Sequence, residues 1–262
     1  MNSNVSRSDW SSTELMVCLS ARELEDGSSV VVGTGLPCAA AALAQRTHAK
    51  DLLIIFEAGG VGARMPTMPI SVGDSRTFFQ GIMASSMPEV IEMCQRGLVD
   101  YAFLGGAQID MYGNLNSTLI GQYVRPRVRF PGSGGANDLA SLCWRTIVMM
   151  PQDRRRFVES VDFVTSPGYL SGKGARESVG LPADTGPLKV ITNLSVLGFC
   201  PETGRMKVES LHPGVSREQV QENTGFPLIW PEKVPASEPP SSNELELLRS
   251  EIDPFGYVLG RS

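Results

Sequence analysis

Leu52-Leu53-Ile54-Ile55-Phe56-Glu57-Ala58-Gly59-Gly60-Val61-Gly62 is the stretch on which the fold turns. Its apolar run, rich in branched side chains and without polar alternation, reads as a strand buried on both faces, as in parallel sheets. Glu57 then stands where the strand emerges, and the small residues after it let a ligand approach the backbone. In open α/β sheets ligands gather beyond the carboxyl ends of strands, so a carboxylate here is a candidate catalytic group. The same glutamate fits an ordinary role as a solvated loop residue or a charge at a helix start. Taken alone, the stretch leaves both readings open.

Upstream, residues 11–26 carry apolar positions at helical spacing behind Ser11 or Ser12 as N-cap, and Gly27 stops that helix. A strand over 29–32, a turn at Gly33-Thr34-Gly35-Leu36-Pro37 and an alanine-rich helix over 38–47 lead into the strand before Glu57. Downstream the pattern recurs, with a helix over 88–96 ended by Gly97 and a strand over 101–104. Gly105-Gly106-Ala107-Gln108 leaves that strand, and buried strands follow at 146–150, 161–164 and 188–191. Alternating strands and helices with glycine loops at strand ends indicate an α/β fold with a mostly parallel sheet. From about residue 201 the character changes: 206–211 alternates like an antiparallel strand, and a short helix over 216–222 opens at Ser216. Residues 227–243 are rich in Pro, Ser and Glu and read as irregular, before a last helix over 244–252 stopped by Asp253-Pro254. The whole, 1–262, reads as a single domain with a wrapping tail from about 227.

The chain has 262 residues, 42% apolar and 19% charged, enough to bury a sizeable core as a soluble globular protein. A net charge of −5, with no basic cluster larger than Arg154-Arg155-Arg156, argues against a nucleic-acid or anionic-membrane partner. Small anionic substrates remain compatible with it. Met1 to Trp10 is polar, and no apolar stretch approaches the roughly 18 residues of a membrane span. Cys18, Cys38, Cys94, Cys143 and Cys200 are scattered, with no Cys-x-x-Cys pair and no metal-ligand spacing to His48 or His212. Neither a structural metal nor a disulfide framework is expected, and the odd cysteine count fits a reducing cytoplasm.

A second feature lies at Phe130-Pro131-Gly132-Ser133-Gly134-Gly135-Ala136-Asn137-Asp138-Leu139. Its glycines allow backbone N–H groups to converge, and Asn137-Asp138 is placed to cap a helix beginning near Leu139. Such a nest holds a phosphate, a carboxylate or a developing oxyanion. It lacks the Gly-Lys-Ser/Thr of a Walker loop and the spacing of a dinucleotide fingerprint, and a plain tight turn is the competing reading. A carboxylate at a strand end together with an amide nest suits acyl transfer: the carboxylate attacks a thioester and the amides stabilise the tetrahedral oxyanion. There is no Gly-x-Ser-x-Gly elbow, and His48 and His212 read as surface or packing residues rather than bases.

Several longer motifs carry a resemblance. Pro69-Ile70-Ser71-Val72-Gly73-Asp74, Leu104-Gly105-Gly106-Ala107-Gln108-Ile109-Asp110-Met111-Tyr112-Gly113-Asn114-Leu115-Asn116-Ser117-Thr118, Asp162-Phe163-Val164-Thr165-Ser166-Pro167-Gly168 and Glu222-Asn223-Thr224-Gly225-Phe226 join the Glu57 and Gly132 stretches. Together they resemble the class I CoA-transferase family, in particular the B-type chain of the glutaconate CoA-transferases, over nearly the full length. The resemblance implies an open three-layer α/β/α sandwich and a separate A subunit of related fold. The active site would be shared between A and B, in (AB)2 or (AB)4 particles. It implies a CoA thioester and a small carboxylic acid as substrates, no permanently bound cofactor and no metal. It places the catalytic glutamate on Glu57 and the oxyanion and CoA-binding loop on Gly132, Gly134, Gly135 and Ala136. Ala58, Gly59, Gln108 and Asn137 become candidates for lining the pocket.

The implied reaction is ping-pong transfer of CoA through a glutamyl-CoA thioester, with a glutaconate-like dicarboxylic acid as a candidate substrate. Many family members have Ser before and Asn-Gly after the glutamate. Here Phe56 and Ala58-Gly59 flank it, which bears on the acyl group admitted. Hydrolysis of a CoA thioester, or carbon–carbon cleavage or decarboxylation on the same fold, is the alternative, with Glu57 as general base. Gln108, Asn114, Asn116 and Ser117 stand between lining a pocket and capping loops. Arg154 to Arg156 stand between meeting the CoA phosphates and a solvated or subunit-contact role.

Overall fold

A computed structural model describes residues 9–260; most of the polar segment Met1 to Trp10, and residues 261–262, lie outside the described residues. The chain forms two compact units, one comprising residues up to Phe103 together with those from Glu238 onward, the other Leu104–Ser237.

The first unit opens with helix α1, Ser12–Arg22, and strand β1, Ser29–Val32. Helix α2, Leu36–Arg46, and strand β2, Leu53–Phe56, follow. Ser11 caps α1 in a reciprocal box with Glu14, satisfying two end amides at once. Helix α2 starts at Leu36, two residues before the start expected at 38, because Gly35, at φ +93°, turns the chain and Pro37 fits the first helical turn. Ala39, Ala40, Ala41, Leu43 and Ala44 of α2 are fully buried. Small side chains there let its neighbours approach closely, so an Ala41→Leu change would overpack the core at about 1–3 kcal/mol. Strand β1 pairs in parallel with β2, setting Val30 against Ile54 and Val32 against Phe56. Short strands β3, Gly60–Val61, and β4, Met83–Ala84, extend the β2 side, and helix α3, Met87–Gln95, leads to β5, Tyr101–Leu104. The order is β5-β1-β2-β3-β4, with parallel pairing around β1 and antiparallel pairing at β3 and β4.

The second unit begins with two small hairpins, β6 (Gln108–Ile109) with β7 (Leu115–Asn116), and β8 (Leu119–Gly121) with β9 (Pro126–Arg129). Helix α4, Ala136–Leu142, strand β10, Arg145–Met149, and the short helix α5, Ala175–Ser178, come next. Strands β11 (Gly186–Ile191), β12 (Ser195–Phe199) and β13 (Met206–Leu211) and helix α6 (Arg217–Glu222) complete it. Strand β10 runs parallel to β11, while β11, β12 and β13 are antiparallel. The strand expected at 161–164 does not form. There the Asp162 carboxylate accepts the Gly121 N–H at 2.7 Å and the Phe163 ring stacks on Tyr123 at 5.8 Å, so side chains rather than a ladder hold the segment. The irregular tail is stitched along β13: Val208 N–H donates to Ile229 and Leu211 N–H to Pro235.

The chain then returns to the first unit through helix α7, Ser242–Leu247, which continues as a π-helical turn to Ile252. Ser241 and Glu244 form a capping box, so the helix begins two residues before the apolar spacing suggests. Arg22 donates to the Glu244 carboxylate and to the Glu238 and Pro239 carbonyls, and Arg249 pairs with Glu14 at 2.6 Å. These contacts fasten the returning helix to α1.

Candidate functional site

Glu57 follows β2 directly, as the sequence suggests. Gly59 N–H donates to the Phe56 carbonyl at 2.9 Å, closing a four-residue turn with Glu57 and Ala58 at its two central positions. Both are half-buried. The turn is pinned by a strap that local sequence does not reveal: Ser85 N–H donates to the Gly59 carbonyl at 2.8 Å and Ile82 N–H to Val61 at 2.9 Å. Gly59 adopts φ +118°, and a Cβ on it would overlap the Ser85 carbonyl. A Cβ on Gly60 would sit 2.9 Å from the Thr77 carbonyl carbon. Glycines here therefore serve packing of the strap as much as ligand access.

The strap has its own anchor. Asp74 caps the 3-10 turn Ser75–Phe78, and Arg76 grips the Asp74 carboxylate while donating to the Met68 carbonyl at 2.7 Å. The Arg76 hydrogen bonds hold the Asp74 carboxyl well below the usual carboxylate range.

In the second unit, Gly132–Gly134 forms a 3-10 turn that runs into α4. The helix begins at Ala136, with Gly135 at the N-cap and no side-chain cap. The cap expected from Asn137 and Asp138 is thus corrected: both lie in the first helical turn, because the 3-10 turn already carries the chain into helical direction. Asp138 there opposes the positive end of the helix dipole. The glycine amides do not converge as a nest. Gly132 N–H donates to Ser117, Gly134 N–H to Pro131 at 3.3 Å, and Gly135 N–H to Gly132. The first-turn amides of α4, those of Ala136, Asn137 and Asp138, are the ones a helix leaves without an intrahelical acceptor.

A chain of hydroxyls supports this loop. Thr118 Oγ1 is hydrogen-bonded to Ser133 Oγ and, at 2.6 Å, to Thr165 Oγ1, which accepts Ser117 N–H. Phe130 N–H donates to the Thr118 carbonyl, and Ser166 Oγ donates to the Ala136 carbonyl. A Cβ on Gly132 would overlap the Ser117 hydroxyl, so this glycine marks a close approach. The clustering of Ser117, Thr118, Thr165 and Ser166 is visible in the sequence as hydroxyl pairs, but only the fold joins them.

Gln108 is buried, its Oε1 accepting from Asn116 and from the Asp162 amide. Asn116 also binds Leu119, and Asn114 bridges the Asp110 carboxylate to the 168–170 turn. For Asn114 and Asn116 the loop-tying role is what the structure shows. Burial pushes the Asp110 carboxyl up, against the hydrogen bonds it receives. His212 is buried between Ser237 Oγ and the Thr192 carbonyl, which gives it a packing role. Among the described residues, no group of three or more His, Cys, Asp or Glu is arranged to hold a metal ion, and no helix is long and apolar enough to cross a membrane.

Over residues 13–223 the chain matches the Coenzyme A transferase family. It is 42% identical over 253 residues to the B chain of glutaconate CoA-transferase of Acidaminococcus fermentans, covering 94% of each chain. It is 40% identical over 246 residues to the B chain of 3-oxoadipate CoA-transferase of Pseudomonas knackmussii, covering 93% of this chain and 94% of that one. The crystal structure of glutaconate CoA-transferase from A. fermentans superimposes with a TM-score of 0.90 at 38% identity, covering 100% of both chains. That likeness carries the α/β fold as well as the sequence motifs, and the chain belongs to the coenzyme A transferase family.

Proposed function

We propose that this chain is the glutamate-bearing B subunit of a heteromeric CoA-transferase that moves CoA between an acyl-CoA and a carboxylic acid. The observation that carries the reading is Glu57, held at the end of β2 on a turn whose backbone is fixed by the strap at Ser85. The Glu57 carboxylate oxygen attacks the thioester carbonyl carbon, the C–S bond breaks, CoA leaves as the thiolate and a mixed anhydride remains. The thiolate then attacks the Glu57 carbonyl carbon, the donor acid leaves as carboxylate, and Glu57 holds CoA as a thioester. An acceptor carboxylate reverses both steps and carries CoA away. Gly132, Gly134, Gly135 and Ala136 supply the loop that meets the CoA thioester and its oxyanion. Ala58, Gly59, Gln108 and Asn137 belong to the pocket around it.

The carboxylate nucleophile needs no resident metal or redox cofactor, and CoA enters as a substrate. The relatives are B chains of two-component enzymes, so the partner is an A subunit, here a separate chain of related fold completing a shared site in an (AB)2 or (AB)4 particle. Glutaconate and 3-oxoadipate, which name those relatives, are both dicarboxylic acids, which favours a dicarboxylic substrate. Free thiols at Cys18, Cys38, Cys94, Cys143 and Cys200 agree with work in the cytoplasm.

The test is mass spectrometry of the protein assembled with its A subunit after incubation with acyl-CoA, trapping with borohydride or hydroxylamine. Modification is expected on Glu57, and Glu57→Ala is expected to abolish label exchange between acid and CoA ester. Continued exchange in that variant overturns the assignment of Glu57. Release of free CoA that does not depend on an acceptor acid would establish hydrolysis instead.

A further inference from the structure

A cavity of about 700 Å3 lies in the Leu104–Ser237 unit, and of the residues given a role above Gln108 borders it. Its volume falls within the range of small-molecule and nucleotide sites, roughly 300–1,000 Å3. The β9 strand contributes Arg127 to its wall, and the segment after β10 contributes Asp153, Arg155 and Arg156, with Ile120 and Phe130 as apolar lining. Three arginines and one carboxylate thus line it. Asp153 is shared by two of them, lying 3.2 Å from Arg156 Nε and 3.6 Å from Arg155 Nε. Among the described residues Arg127 makes no ion pair, and the Arg155 side chain is 94% exposed despite its contact with Asp153. Arg156 is set in place by donating to the Gly106 carbonyl at 3.2 Å, on the loop that leaves β5.

This concentration of cationic groups stands in a chain whose net charge is −5. Guanidinium forks match phosphate oxygens in pairs, and apolar walls beside them suit the face of a purine. Phe130, on the cavity wall, directly precedes Pro131 and the Gly132–Gly134 turn. A ligand with an anionic nucleotide in the cavity and a long flexible arm would therefore run along Phe130 toward the glycine loop. CoA has that form: a diphosphate and a ribose 3′-phosphate at one end, a pantetheine thiol at the other.

We propose that this cavity is the subsite for the phosphorylated nucleotide of CoA, with Arg127 and Arg155 as its phosphate ligands and Arg156 as a third cation oriented by Asp153 and Gly106. The proposal rests on the reading of the chain as a CoA-transferase. Arg154 to Arg156, which the sequence left between a phosphate role and a solvated one, divide accordingly: Arg155 and Arg156 line the cavity and Arg154 does not.

The experiment compares Arg127→Gln, Arg155→Gln and the double variant with the parent, each assembled with the A subunit. It measures KM for an acyl-CoA and for the matching acyl-pantetheine, which lacks the nucleotide, and calorimetric binding of adenosine 3′,5′-bisphosphate. Each arginine removed should raise KM for the acyl-CoA on the order of tenfold, the scale of a charge-assisted hydrogen bond. The KM ratio between the two thioesters should collapse toward one in the double variant, and bisphosphate binding should weaken in step. Added salt should weaken binding to the parent more than to the variants. Equal effects on both thioesters, or none on either, overturn the subsite, and so does failure of the variants to assemble, which would make this face a subunit contact. If the parent exchanges no CoA yet binds the bisphosphate through these arginines, the transferase reading fails and the subsite stands.

Discussion

Replacement of Gly59 by alanine isolates the part of the structure that holds Glu57 in place. The added methyl group would meet backbone rather than a flexible side chain: its Cβ overlaps the Ser85 carbonyl oxygen and lies 2.6 Å from the carbonyl carbon. The site also has φ +118°, where an L-residue is strained by about 1–3 kcal/mol. Relief requires the strap to move, at the expense of the Ser85-to-Gly59 and Ile82-to-Val61 hydrogen bonds, worth about 1 kcal/mol each. The sum is about 3–5 kcal/mol, which for a chain of this size lowers the melting temperature by on the order of 10 °C. Because the same strap fixes the turn bearing Glu57, trapping of the acyl group at a temperature well below the transition should slow by up to about a hundredfold, the cost of displacing a reacting group by about 1 Å. The control is Gly134→Ala: nothing lies within 4 Å of a Cβ there, and the backbone does not need glycine. Its stability should stay within about 0.5 kcal/mol of the parent, so any loss of activity reports on the thioester contact. Calorimetry and rapid-quench trapping give both numbers. If Gly59→Ala melts with the parent and traps at the parent rate, the strap does not position Glu57.

Other outcomes follow from single contacts. Thr118→Val removes the hydroxyl that links Ser133 to Thr165; kcat/KM should fall roughly tenfold, and Thr118→Ser should restore it, whereas equal activity of the valine form would discard the relay. Arg176 is buried and donates to the Pro167, Gly168 and Ala140 carbonyls and to Thr185 Oγ1. Arg176→Met orphans those acceptors and should cost about 3 kcal/mol, read as a lowered urea midpoint. Burial depresses the pKa of His212, whose neutral ring donates through Nε2 to Thr192 and accepts from Ser237 through Nδ1. The unfolded chain takes up that proton first, so stability should be full above about pH 6.5 and decline as pH falls from there through the lower folded pKa. His212→Asn should flatten that slope in urea titrations between neutral and mildly acid pH, and an unchanged slope would remove His212 as its source.

Much of the fold was legible because burial alone sets it. The strands Ser29–Val32, Tyr101–Leu104 and Met206–Leu211 have the bounds their side chains indicate. Elements defined by pairing rather than by composition were not legible. Strand β12 contains Gly198, an unpromising strand residue, yet a Cβ there would lie 2.6 Å from the Glu209 carboxyl carbon, so the gap serves a side chain of β13. Residues 161–164 look apolar enough for a strand, but Val164 is 46% exposed and no ladder receives it. The hairpins around Gln108 and Gly121 are too short to show a period.

By itself, the sequence determined the α/β class, the glutamate at a strand end and the family, because apolar runs, glycine positions and long motifs are local properties of the chain. Tertiary structure decided how those pieces are held. The glycines at 59 and 60 make room for a strap from residues 77–86, and those at 132–135 form a helical turn instead of an open nest. The arginines at 127, 155 and 156, separated along the chain, meet around one cavity. Each of these depends on backbone segments distant in sequence coming within a few ångströms, and no local pattern encodes that approach.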